Sequence, residues 1–164
     1  MAVECFLKFE GPDLKGESKA DGFAEQVDVL AWSWGATQTG TMHVGTGGGA
    51  GKANVNDLTI TKWVDKASPN LAQAVIAGKQ FNKATLTCRK AGGEKPVEYL
   101  KFDLENVIIS SLATGGAGGE DRFTENIGLN FATYKMSYTP QKDDGSAESA
   151  IGPVGWSIRE NKTT

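Results

Sequence analysis

The sequence predicts an all-β protein, an antiparallel β-barrel or sandwich with one α-helix outside it. Three observations carry that prediction. Apolar and polar residues alternate with period two over most of the chain, the pattern of strands whose successive side chains point to opposite faces. Gly, Pro, Asp and Asn clusters separate those runs as turn signals. Only the stretch from about Ser68 to Lys79 carries the i, i+3, i+4, i+7 spacing of an amphipathic helix. With about seven or eight strands and a single helix, the layer architecture has few alternatives.

Taken in order, Val3 to Glu10 alternates Val3, Cys5, Leu7 and Phe9 against Glu4, Phe6, Lys8 and Glu10. A polar connection, GPDLKGESKADG, leads to the strand VDVLAWSWG, where Leu30, Trp32 and Trp34 share one parity and Ala31 and Ser33 the other. A glycine-rich arm from Thr41 to Lys52 follows, then a strand from Val55 to Val64. Hairpin loops usually run about two to five residues, so an arm this long is disordered or put to use. In the helix, Ser68 is the expected N-cap, Pro69 suits the first turn and Gly78 the C-terminal cap. A helix of about ten residues does not persist alone, so its stripe of Leu71, Ala74, Val75 and Gly78 must dock on the sheet. Lys83 to Lys90 reads as a short strand, AGGEK as a turn, and Val97 to Ala113 as a long strand with a bulge or bend at Glu105-Asn106. After the glycine run TGGAGGED, Phe123 to Thr139 places Ile127, Leu129, Phe131 and Thr133 on one face. VGWSIREN is the last strand.

At 164 residues the chain reads as one domain, 1–164, carrying the arm at about 41–52. Its net charge of −3 and scattered Lys and Arg argue against nucleic acid as a partner. The start MAVECFLKFEG lacks the pattern of a signal peptide, and no apolar run reaches the length of a membrane span. Cys5 and Cys88 lie in strand-like segments without metal spacing. Both read as reduced core or near-core thiols of a chain made in the cytoplasm, with pairing of the two as the alternative.

Catalytic and cofactor readings fail one by one. GTGGGAGK has Thr46 where a phosphate loop needs glycine and Ala53 where it needs Ser or Thr, and it leads into a strand. A dinucleotide reading fails for the same structural reason. His43 is the only histidine and sits on the arm with no orienting carboxylate near in sequence. One histidine and two separated cysteines make a poor zinc site. Glu120-Asp121 and Asp143-Asp144 read as solvated loop acids, not an acid–base dyad. No catalytic residue, cofactor or metal site is expected, so the chain is not read as an enzyme. What is left is a protein that binds or assembles: either a subunit of an assembly or a free-standing β-sandwich adaptor or adhesin module.

Nine segments decide between these. They are KGES (15–18), VDVLAWSWG (27–35), GGGAGK (47–52), SPNL (68–71), RKAGGE (89–94), VEYL (97–100), TGGAGGEDRFTENIGLNF (114–131), YTPQK (138–142) and GWSIREN (155–161). In this order and over nearly the whole chain, they resemble the haemolysin-coregulated protein (Hcp) family, the tube protein of bacterial type VI secretion systems. The resemblance implies a β-barrel protomer that forms hexameric rings stacked into a tube inside a contractile sheath. It also implies a trimeric VgrG-type spike at the tip, secreted effectors carried in the pore, and export without a signal peptide. By the same resemblance, the arm residues Thr41, Met42, His43, Gly47, Gly48, Gly49, Gly51 and Lys52 reach an adjacent ring or subunit. Leu30, Trp32 and Trp34 are expected in the barrel core, and Ala31 and Ser33 towards the pore. Glu120, Asp121 and Arg122 are expected in a turn or in interface ion pairs.

Overall fold

The computed structural model describes residues 2–45, 48–90 and 95–164. Gly47 of the arm and residues 91–94 of the AGGEK turn lie outside the described residues. In chain order the strands are β1 (Val3–Glu10), β2 (Val27–Ser33), β3 (Ala36–Thr37), β4 (Asn54–Val55) and β5 (Leu58–Trp63). The helix α1 (Ser68–Ala77) follows, then β6 (Gln80–Lys90), β7 (Glu98–Thr114), β8 (Thr124–Tyr138), β9 (Ile151–Ser157) and β10 (Lys162–Thr163).

Strands β8, β5, β2, β1, β6 and β7 pair in that order and β7 pairs back onto β8, closing a six-stranded antiparallel barrel. Closure removes the free edges that six separate strands would otherwise expose. Strand β8 is long enough to serve twice. Its residues 124–129 pair with β5, while 133–138 carry β9, with β10 beyond. Inside, Leu7, Phe9, Leu58, Ile60, Leu86 and Leu129 are essentially inaccessible to solvent and belong to one continuous core. Each such side chain contributes about 1.5–3 kcal/mol by leaving water.

Two bulges decide which residues enter that core. Val29 pairs with Lys62 and Ala31 with Thr61, so β2 holds one residue more than β5 there, and that residue is Leu30. A bulge reverses parity. Val27 and Val29 face inward before it, and Trp32 and Trp34 pack against the core after it. Leu30, expected in the core alongside the tryptophans, is therefore outside it and 46 % exposed. On β7 the expected irregularity at Glu105-Asn106 is a bend: Asn106 takes φ 52°, and the inward set changes from Phe102 and Leu104 to Val107 and Ile109. The β7 bulge against β8 lies further on, at Ser110, where Ile109 pairs with Leu129 and Ser111 with Gly128.

The outer face of β1 is not simply solvated. Phe6 is buried because Phe23 of the β1–β2 connection stacks on it at 4.5 Å and the Arg89 guanidinium lies over both rings, at 5.3 and 5.0 Å. The same connection hydrogen-bonds back on itself, Gly16 N–H to Glu25 O at 2.8 Å and Glu25 N–H to Ser18 O at 2.8 Å. A Cβ on Gly16 would sit 2.5 Å from Gln26 O, which is why the KGES segment needs glycine there.

The helix starts one residue earlier in role than expected. Ala67 is the N-cap position without a side-chain bond, and Ser68 is already helical. Asp65 fixes the residue before the helix, its Oδ1 accepting the Ala67 N–H at 2.9 Å. The Ser68 hydroxyl, buried, is drawn inward by Glu125. At the other end Gly78 caps as expected, with φ 64° and its N–H donating to Val75 O at 3.3 Å. Leu71 and Ala74 are buried in the common core, and α1 docks against β7.

Candidate assembly surfaces

The arm is a hairpin paired with itself. At its root Ala36 faces Val55 and Thr37 faces Asn54, and further out Gly40 bridges to Ala50. Thr41 Oγ1 donates to Gly49 O at 2.7 Å and accepts the Gly49 N–H at 3.2 Å. Val44 N–H closes the next turn on Thr41 O at 3.1 Å. Every described residue from 36 to 54 is exposed, including Met42, His43, Gly48, Gly49, Gly51 and Lys52. Met42 is 81 % exposed, an unusual place for a large apolar side chain. Asp57 fastens the root to the barrel, accepting from Ser110 Oγ at 2.6 Å and from Asn130 Nδ2 at 2.8 Å. The expected strand from Val55 to Val64 is interrupted at this anchor, between β4 and β5.

Ala31 and Ser33 lie on the outer face of β2 and are exposed. They begin two rows that run across four strands. One is Ser33, Thr59, Gly128 and Ser111; the other is Ala31, Thr61, Asn126 and Ala113. No side chain in either row is larger than asparagine. Thr61 Oγ1 donates to Asn126 Oδ1 at 2.7 Å, and a Cβ on Gly128 would come within 2.6 Å of Ser111 Oγ. The result is a smooth, neutral strip of barrel wall.

Behind that wall Trp32 stands edge-on to Phe102 at 5.4 Å, and Trp34 packs on Phe102 at 5.7 Å and on Tyr134 at 5.0 Å. Where β8 leaves β5 for β9, its face opens to solvent. Met136 lies opposite Val154 and Tyr138 opposite Ile151, and all four are exposed. A second apolar point is Ile76, on the solvent side of α1 and 89 % exposed.

The sequence reading missed a buried polar cluster. Lys62 is 0 % exposed and forms ion pairs with Glu125 and, at 3.0 Å, with Asp65. Its Nζ also donates to Trp63 O at 2.7 Å and to Ser68 Oγ at 3.3 Å. The cluster ties β5, α1 and β8 at one end of the barrel. A signal existed in the sequence: Lys62 shares the parity of Leu58 and Ile60, and Glu125 that of Ile127 and Leu129. One charge of each sign on two buried faces points to a pair. Nearby Arg122 lies over the Trp63 ring at 4.6 Å, while Glu120 Oε2 accepts the Ala117 N–H at 3.4 Å within its own turn. Among the described residues no group of three or more His, Cys, Asp or Glu is placed to hold a metal ion.

Comparison with known proteins gives this architecture a family. Residues 6–138 match the family described as type VI secretion system effector, Hcp. The chain belongs to the Hcp family. It is 55 % identical over 161 residues to Protein hcp1 of Pseudomonas aeruginosa, covering 98 % of each chain. A solved type six secretion system protein superposes with a TM-score of 0.92 at 34 % identity, over 99 % of this chain and 100 % of that one. Hcp1 from Salmonella typhimurium gives 0.79 at 33 % identity, over 100 % of both chains. As an Hcp protein, the chain is a tube/effector protein of type VI secretion, and the family implies that it is secreted. No helix among the described residues is long and apolar enough to cross a membrane.

Proposed function

We propose that the chain is a tube subunit: residues 1–164 act as one Hcp domain, six copies close a ring, and rings stack into the expelled inner tube. The observation that carries this reading is the full-length likeness to Hcp proteins, 55 % identical over 98 % of the chain. Four surface features support it. The strip from Ser33 and Ala31 across to Ser111 and Ala113 has small, neutral side chains, which would leave room in a pore for secreted effectors. The described arm residues, 41–45 and 48–52, are all exposed, as a segment that meets a stacked ring or a neighbouring subunit would be. Ile76 on α1 and the Met136–Val154 and Tyr138–Ile151 pairs are two separate apolar patches. A head-to-tail ring closes by joining unlike faces, so two such patches suit it.

In this reading the contractile sheath surrounds the tube, a VgrG-type spike caps it, and effectors ride in the pore. The role is structural and carrying, with no reaction of its own. The chain is made in the cytoplasm and leaves with the tube.

The test is the mass of the purified protein by light scattering on a size-exclusion column, with negative-stain images of the same peak. Six times the 17.4 kDa protomer, seen as rings with open centres, is the expected result. A monomer at high concentration sinks the ring reading.

A further inference from the structure

Cys5 and Cys88 are far apart in sequence but directly opposite each other in the β1–β6 ladder. Opposed residues of an antiparallel pair hold their Cα atoms about 4.5 or 5.5 Å apart. Both spacings lie inside the range of about 4.4–6.8 Å that a disulfide bridges. Both cysteines are free, and both belong to the inward-facing set: Cys88 is 1 % exposed, and Cys5 is half-buried against the same core.

We infer that Cys5 and Cys88 form a redox-sensitive dithiol that closes to an intrachain, cross-strand disulfide when the protein meets a low-molecular-weight disulfide such as oxidised glutathione. The two cysteines divide the work. The hydrogen bond from Cys88 holds the Cys5 thiol below its ordinary value, against the opposing effect of burial. The same bond, together with burial, pushes Cys88 up. The thiolate is the reactive form, so Cys5 attacks first. Its sulfur bonds to one glutathione sulfur, the glutathione S–S bond breaks, and one glutathione thiolate leaves. Cys88 then yields its proton to solvent, its sulfur bonds to Cys5 Sγ, and the second glutathione thiolate leaves. The cysteine pair loses two electrons and the glutathione disulfide gains them.

A reducing cytoplasm keeps such a pair open. The timing of closure, after export, rests on the tube reading above; the chemistry of the pair does not. Closure would covalently join the first strand to β6 only after the subunit has folded and assembled.

The experiment has two arms. The purified full-length chain, in whatever oligomeric state it adopts, is incubated with oxidised glutathione and followed by intact mass and alkylation of remaining thiols. The expected wild-type product has lost two hydrogens and both free thiols, with the bond mapped to Cys5–Cys88. The Cys88→Ala variant is expected to stop at a glutathione adduct on Cys5, since the resolving thiol is gone. Wild-type protein that keeps both thiols, or that links only between chains, overturns the inference. In the second arm, thiols are alkylated at harvest in cells and in culture supernatant. Reduced protein in cells and disulfide in the supernatant is expected. Supernatant protein that remains reduced overturns the timing while export stands. Absence of the protein from the supernatant overturns export while the first arm still decides the pair.

Discussion

Lys62 and Glu125 carry charges where the surrounding positions are filled by Leu58, Ile60, Ile127 and Leu129. Two ions leave water at considerable expense, and the arrangement holds because Asp65, Ser68 and the Trp63 carbonyl supply the remaining bonds. Removing Glu125 leaves the buried Lys62 with Asp65 as its one carboxylate partner and breaks the tie between β5 and β8. Glu125→Gln is therefore expected to destabilise by about 3–5 kcal/mol, read from chemical denaturation. Lys62→Met combined with Glu125→Leu should lose less than the sum of the single changes; strict additivity would show that the pair is not coupled. Asp28 behaves in the opposite sense. Although Asp28 is a surface residue, partial desolvation pushes its carboxyl above the usual value, and a hydrogen bond from Ser18 offsets part of the rise. The folded state thus disfavours the charged form, and the penalty is present above the folded-state pKa and fades as pH falls through it towards the unfolded value. Asp28→Asn should be more stable than wild type near neutral pH, with the gap shrinking as pH approaches about 4, the ordinary carboxylate range. Denaturation midpoints at the two pH values check it, and a gap that widens on acidification would contradict the burial argument.

At the scale of elements, the arm is held by its own ladder and by Asp57, and none of its described residues from 36 to 54 is buried. Deleting residues 47–51 should leave far-UV circular dichroism and the unfolding transition close to wild type. Ring stacking should weaken, seen as shorter or fewer tubes by electron microscopy. Loss of folding would mean the hairpin contributes to the barrel after all. Strand β2 shows how far an element can be read from its pattern. Alternation located VDVLAWS and separated the tryptophans from Ala31 and Ser33, but the same alternation put Leu30 on the wrong face. Parity assumes an unbroken ladder, and the bulge opposite Lys62 and Thr61 is set by the partner strand. The helix repeats the lesson. Leu71, Ala74 and the Gly78 cap were legible locally, whereas Ser68 reads as a cap until Glu125, 57 residues on, takes its hydroxyl.

At the scale of the whole molecule, the wall that begins at Ala31 and Ser33 is made by β2, β5, β8 and β7 together. If this wall lines a pore, bulk placed on it should obstruct cargo without disturbing the core behind it. Ser33→Gln is expected to leave the mass of the assembly unchanged while lowering the yield of co-purified or secreted effector. An unchanged effector yield would count against a pore-facing Ser33.

Alternation, turn residues and one amphipathic stretch were enough to predict an all-β barrel or sandwich with an external helix, because strand and helix periods are local properties of side-chain direction. The segments from KGES to GWSIREN were enough to point to the Hcp family, because their order runs the length of the chain. Tertiary structure alone decided that Leu30 leaves the core, that Phe6 enters a cover of Phe23 and Arg89, and that Cys5 lies opposite Cys88. Each of these depends on which strands become neighbours and in what register. That choice is made by the closing of the barrel, which brings together residues that no local pattern connects.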